Sequence, residues 1–258
     1  MKLNALISRS GFCSRRRAAL LIKEGKVTVN GKSVREPWLE TSESDSVSIS
    51  GESLKPKEFT YLAFNKPKGV TTTLEDKFAS KKISDFIPKK FGRLYPVGRL
   101  DKNSTGLIIL TNDGDLCHKM THPKFEIEKE YLITVKGRVD GNAISAIKKG
   151  VIDEGDLLKA KYASIERLDA NTTTLSVVVS EGKKRHLRRL LKALGFTVIG
   201  LKRVRIGTLV LGNLKEGSFR VISARDVFKS SFKPVPKFML RPVPEDSQKS
   251  IKKKQIAI

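Results

Sequence analysis

Two cysteines in 258 residues, Cys13 and Cys117, make no disulfide framework, and a reducing cytoplasm fits the chain best. No apolar run approaches the ~20 residues that a membrane-spanning helix needs, so no membrane partner is expected. The first residues, Met1 to Arg17, mix arginine with apolar side chains and lack the continuous apolar stretch of a signal peptide. Histidine is scarce as well. His118 and His122 stand near Cys117, but their spacing fits no closed ligand set and no fourth ligand is at hand, so no metal is expected. Acidic residues are the largest deficit. Asp+Glu number 27 against 51 Lys+Arg, a formal charge of +24. Such a surface repels itself and favours a polyanion, nucleic acid first of all. A generally lysine-rich proteome would give the same surplus with no such partner. What is present in ordinary measure is apolar residue content, 39%, enough for one large domain or two smaller ones.

Residues 1–54 read as a small module. Ser14 is a good N-cap and Gly25 a good stop, which predicts a helix from Arg15 to Glu24. Ala18, Leu21 and Ile22 fall in one stripe of it, with Arg16 and Lys23 roughly opposite. Val27-Thr28-Val29 and Lys32-Ser33-Val34 read as strands joined by Asn30-Gly31, the strongest two-residue hairpin signal. Val47 to Ile49 is a further strand. Residues 1–35 hold nine Lys/Arg against one acid, Glu24. One solvated helix face would be the plain explanation. Basic residues on both helix and turn would instead form a single patch. Gly51 to Lys57 has no periodicity and reads as a linker.

After it, Tyr61 to Asn65 is a strand cut by Pro67 and Gly69, and Val70 to Thr73 resumes strand-like character. A helix is expected near Ile83 to Ile87. The chemistry gathers at Gly98-Arg99-Leu100-Asp101. A carboxylate next to arginine stays ionised near neutral pH and can act as nucleophile or base. Gly98 and Gly106 permit tight turns and close approach of a substrate. Leu107 to Leu110 is too apolar for an exposed strand, which puts Asp101 at a rigid sheet edge; Asp115 reads as the cap of a short helix. From the tetrapeptide alone, a loop aspartate satisfying backbone amides is the favoured account of Asp101. Tyr131 begins the strand Tyr131 to Val135, where an aromatic packing in the core is the simple reading. Leu175 to Val179 is a strand, and Leu187, Leu190, Leu191 and Leu194 mark the core face of a helix that Gly195 ends. Residues 181–205 carry nine Lys/Arg and one acid, Glu181, a second basic patch.

Two resemblances bear on these residues. Leu-x-x-Leu, Ser-Arg-Arg and Ile22-Lys23-Glu24-Gly25-Lys26-Val27-Thr28-Val29-Asn30-Gly31-Lys32 resemble the RNA-binding module first seen in small-subunit ribosomal protein number four, an S4-like domain. The resemblance implies that Arg15, Arg16, Lys23, Lys26 and Lys32 contact RNA phosphates, which supply affinity and salt dependence but little sequence information. The run Gly98 to Leu116, with Asn65-Lys66-Pro67-Lys68-Gly69 before it, resembles pseudouridine synthases of the RsuA/RluB type. So do Lys129-Glu130-Tyr131, Glu181 to Arg189, and Leu201 to Gly207. The match spans about residues 1–225 in the right order.

That resemblance implies isomerisation of a uridine in ribosomal RNA or a pre-ribosomal particle. Asp101 is then the essential carboxylate. Tyr131 stacks on the uracil and takes the carbon 5 proton, and Arg188 pairs with Asp101. Arg99, Lys183, Lys184 and Arg185 bind RNA near a flipped nucleotide. His186 stands where the family usually has glutamine and Lys183 where it has arginine, which puts details of substrate positioning in doubt. Leu201 to Gly207 looks nearer the branch acting on large-subunit RNA, with a small-subunit target open. A non-catalytic RNA-binding or ribosome-assembly protein on the same fold is the alternative. No cofactor is implied, since isomerisation has no net redox change, and a cytoplasmic monomer is expected. The fold implied is α+β: a mixed, largely antiparallel sheet with flanking helices at 59–229, a small N-terminal α/β RNA-binding domain at 1–54, and a basic, Pro/Lys-rich tail at 230–258.

Overall fold

A computed structural model describes residues 1–227 other than 43 and 77. The expected tail, 230–258, lies outside the described residues. The architecture is the α+β type expected, with a mixed, mostly antiparallel main sheet.

The N-terminal module begins with helix α1 (Leu3–Ser10), which the sequence did not announce because its N-cap, Lys2, makes no side-chain cap bond. Helix α2 (Arg15–Lys23) starts where Ser14 accepts the Arg17 N–H at 3.2 Å. Ala18, Leu21 and Ile22 of α2 are buried against Leu3, Leu6 and Ile7 of α1 and against Val27. Strands β1 (Val27–Val29), β2 (Lys32–Val34) and β3 (Val47–Ile49) fall where expected, with Asn30 and Gly31 both at positive φ in the hairpin turn. The expected linker is corrected. Ser50 and Gly51 also turn at positive φ, and Glu52–Leu54 returns as β4, paired with β3. Ser-Gly is a weaker turn signal than Asn-Gly, which is why the strand was missed.

The main sheet holds β5 (Tyr61–Lys66), β6 (Tyr95–Val97), β7 (Thr105–Thr111), β8 (Lys129–Lys136), β11 (Tyr162–Leu168), β12 (Thr172–Val179), β13 (Val198–Ile206), β14 (Leu209–Val210) and β15 (Phe219–Val221). Its order is β11-β12-β8-β13-β7-β5-β15, with β14 on β13 and β6 on β7. A short hairpin, β9 (Val151–Asp153) with β10 (Asp156–Leu158), stands apart. Helices α3 (Gly114–Thr121), α4 (Gly141–Lys149), α5 (His186–Ala193) and α6 (Ala224–Val227) flank the sheet. Leu187, Leu190 and Leu191 of α5 and Ile147 of α4 pack on Ile133, Val135, Leu175 and Val177.

Asp101 is not at a sheet edge. β7 runs through the interior of the sheet, antiparallel to β5 and parallel to β13. Ala63, Leu107 and Ile109 face one core, and Leu62, Phe64, Ile108 and Leu110 face another. Burial on both faces explains the unbroken apolar run. Gly106 is required where β7 meets β13: its φ is +103°, and a Cβ there would stand 2.2 Å from the Arg203 carbonyl oxygen. Three smaller expectations are revised. Val70 to Thr73 makes only a bridge from Thr71 to Lys82, because Gly69 is tied instead to the Lys102 carbonyl. Ile83–Phe86 forms a single 3-10 turn rather than an α-helix. Asp113, not Asp115, caps α3, accepting the N–H groups of Asp115 and Leu116 at 3.0 Å each.

Candidate active site

The loop from Gly98 to Ser104 leaves β6 and enters β7, so both its ends are fixed by the sheet. Its backbone is also held from below. Lys66, at the end of β5, is 0% exposed, and its Nζ donates to the carbonyls of Ser104 at 2.8 Å, Pro67 at 3.0 Å and Lys102 at 3.3 Å. Gly69 N–H donates to the Lys102 carbonyl at 2.8 Å. Thr72 Oγ1 donates to the Leu100 carbonyl at 2.6 Å and lies 3.3 Å from the Leu100 nitrogen. Burial pulls the Lys66 ammonium down to about 8, with Asp101 and Glu216 pulling the other way. Neither Lys66 nor Thr72 was singled out from the sequence. The usable signal was a lysine ending an apolar strand within Asn65-Lys66-Pro67-Lys68-Gly69.

Above this floor the Asp101 carboxylate is 41% exposed and faces two arginines of the opposite wall. Arg188 Nε is 3.7 Å and Arg185 Nη1 3.9 Å from Asp101 Oδ2, ion-pair distances rather than hydrogen bonds. Arg188 is held by longer contacts, from Nη2 to Asn103 O and Ser104 Oγ at 3.4 Å each and from Nη1 to Val198 O at 3.5 Å. Burial lowers its proton affinity and Asp101 raises it, yet a guanidinium stays charged. Arg185 precedes α5 in the left-handed region, at φ +52°, a costly backbone state for a non-glycine residue.

Tyr131 lies on β8 opposite Arg203 of β13, partly buried against the core under α5, with its side chain lining the same cleft as Asp101. Arg99, Lys183, Arg185 and Arg188 complete the wall. The cleft encloses about 110 Å³, a shallow site smaller than the usual small-ligand pocket. Six of the residues expected from the sequence are thus brought together.

Others are not. Lys184 is exposed outside the cleft lining. Lys183 is engaged already: its Nζ donates to the Leu157 carbonyl at 3.0 Å and pairs with Asp156 at 3.4 Å and Glu181 at 3.7 Å. His186 is 4% exposed, and its Nε2 is 3.0 Å from the Lys159 carbonyl, which places the proton of the neutral ring on Nε2. Burial lowers its proton affinity. The second basic patch is smaller than the sequence count implies. Arg203 and Arg205 are buried, Arg205 against Glu130 at 2.8 Å, and Arg189 is bound to Asp153 at 2.6 Å and Asp156 at 3.0 Å of the β9-β10 hairpin. Arg15, Arg16, Lys23, Lys26 and Lys32 are exposed on the N-terminal module, away from the cleft. Of these Lys26 pairs with Glu24 at 2.8 Å, and Arg15 lines a separate cleft with Tyr95 and Asp113. Among the described residues no group of three His, Cys, Asp or Glu could hold a metal ion, and no helix is long and apolar enough to cross a membrane.

Comparison with known proteins gives two family matches: RNA pseudouridylate synthase over residues 60–193 and S4 domain over residues 1–40. The chain is 37% identical over 229 residues to the ribosomal large subunit pseudouridine synthase B of Bacillus subtilis (strain 168), covering 88% of this chain and 93% of that one. It is 37% identical over 225 residues to an RNA pseudouridine synthase of Aquifex aeolicus (strain VF5), covering 86% and 90%. A crystal structure of a pseudouridylate synthase superimposes with a TM-score of 0.60 at 32% identity, covering 88% of this chain and 98% of that one.

Proposed function

Because the chain belongs to the RNA pseudouridylate synthase family and carries an S4 domain, we propose that it isomerises a specific uridine of ribosomal RNA, with Asp101 as the catalytic carboxylate. The observation that carries the assignment is the Asp101 side chain itself, exposed at the mouth of a cleft on a loop fixed from below, with Arg188 and Arg185 within 4 Å of one oxygen. A carboxylate that only satisfied backbone amides would turn into its own loop. This one faces a cationic wall.

In the reaction, the bond from ribose to the uracil nitrogen breaks, the base rotates, and carbon 5 bonds to the same ribose carbon. Carbon 5 then loses a proton, and the freed nitrogen gains one. An ionised Asp101 serves either as the nucleophile at the anomeric carbon or as the base that takes a ribose proton. Arg188 holds the carboxylate in place. Tyr131, on the cleft wall, stacks on the uracil and accepts the carbon 5 proton. A stacked base cannot reach such a cleft, so the uridine is flipped out of its helix. Arg99 and Arg185 meet the flanking phosphates, and Lys183 joins them once RNA competes with Asp156 and Glu181. Arg15, Arg16, Lys23, Lys26 and Lys32 of the S4 domain hold the RNA backbone at a distance from the cleft.

The 37% identity to a large-subunit synthase supports large-subunit ribosomal RNA as the substrate. Such a substrate puts the enzyme in the cytoplasm, and one chain supplies every residue named. The test compares pseudouridine maps of ribosomal RNA from cells with and without this protein. A large-subunit site that disappears with the protein supports the assignment. A lost small-subunit site would move the target, and unchanged maps would favour an RNA-binding protein without catalysis.

A further inference from the structure

The rings of His118, His122 and Phe125 pack on one another at the surface, outside the cleft. Their centroids are 4.9 Å apart for the two histidines, and 6.0 Å and 6.3 Å from each histidine to Phe125. All three residues are exposed, Phe125 at 38%. The backbone beneath them is hydrogen-bonded throughout the turn. His122 N–H donates to the His118 carbonyl at 2.9 Å, and Phe125 N–H to the His122 carbonyl at 3.2 Å. His122 Nδ1 accepts the Lys124 N–H at 3.2 Å. Leu116 and Met120 anchor the helix in the core. Lys119 and Lys124 are exposed beside the rings, with Lys124 Nζ 4.8 Å from the Phe125 centroid.

The cluster adjoins the Asp101 loop. Thr121 Cγ2 lies 3.7 Å from where a Cβ on Gly98 would stand. Gly98 precedes Asp101 by three residues. Exposed aromatic rings on a hydrogen-bonded element, with a lysine ammonium over one face of Phe125, match an unpaired base and the phosphates next to it. We propose that His118, His122 and Phe125 form a stacking platform for an unpaired RNA nucleotide flanking the one presented to Asp101. The proposal rests on the RNA-substrate reading above.

The test uses the full chain and a short oligouridine carrying one fluorescent aminopurine, whose emission is quenched on stacking. Wild-type protein is expected to bind and quench it. Phe125→Leu combined with His118→Ala should weaken binding roughly tenfold and remove the quench. The slope of log affinity against log salt should stay the same, since no cation is lost. Phe125→Tyr, which keeps a ring, should bind and quench like wild type. No quench by wild-type protein, an unchanged double variant, or a Phe125→Tyr variant as weak as the double variant would each overturn the proposal. The readout needs no turnover. A chain that makes no pseudouridine but loses the quench on these substitutions keeps the platform and loses only the enzymatic assignment.

Discussion

Replacing Lys66 by methionine keeps most of the side-chain volume and removes one buried charged donor. Its Nζ reaches three main-chain carbonyls at 2.8, 3.0 and 3.3 Å, two of them in the Asp101 loop. A hydrogen bond from a charged donor is worth ~1.5–3 kcal/mol, and an unmet buried carbonyl costs ~1–3 kcal/mol. Against this, methionine no longer buries an ammonium. Burial holds the Lys66 ammonium down at about 8, a cost that the variant avoids. The net expectation is a stability loss of ~1–4 kcal/mol, and a larger effect on rate. Ser104 and Lys102 would release the loop that aims Asp101, and a displacement of about 1 Å costs ~10²-fold in rate. Single-turnover pseudouridine formation in Lys66→Met should therefore fall about 100-fold, while RNA affinity, measured by filter binding, changes less than about threefold. A folded variant with a wild-type rate would refute the reasoning.

Gly106→Ala must adopt φ +103° and place a Cβ 2.2 Å from a backbone oxygen of β13. Strain and overpacking together predict a loss of ~2–4 kcal/mol in urea unfolding, and a variant as stable as wild type would contradict the close approach. Burial lowers Lys66 and Lys129 to about 8 each, below the ordinary lysine value. Between about pH 8 and 10.5 the unfolded chain then holds protons that the folded chain has shed. Stability should rise with pH across that window, by up to ~1.4 kcal/mol per unit per lysine. Lys129→Met should flatten the slope, and an unchanged slope would exclude the linkage. Deleting residues 1–54 should weaken RNA binding and its salt dependence while residues from β5 onward keep their circular dichroism; complete unfolding would place the module inside the catalytic core.

Elements with local signals were legible in the sequence. Ser14, Asn30-Gly31 and the leucines of α5 located a helix, a hairpin and a buried face, because caps, tight turns and periodicity act within a few residues. Elements set by distant contacts were not. The strand Glu52–Leu54 exists because β3 pairs with it, and α1 because its apolar stripe meets α2. At the site, the residue types around Asp101 could be read from the family resemblance, and the structure gathers six of them in one cleft. The state of each charge could not be read. Counting treats Arg189, Arg203 and Arg205 as surface, whereas the first is tied to a hairpin and the other two are buried. Lys66 was equally hidden, since only the fold brings its amine beneath residues 102–104.

The assignment of Asp101 is tested most directly by Asp101→Asn, which keeps shape and removes charge. With unmodified ribosomal RNA and chemical mapping of pseudouridine, the wild-type chain should modify its site. The variant should show no product, while its RNA affinity stays within a few fold. Pseudouridine formed by Asp101→Asn at a rate near wild type would contradict the central claim.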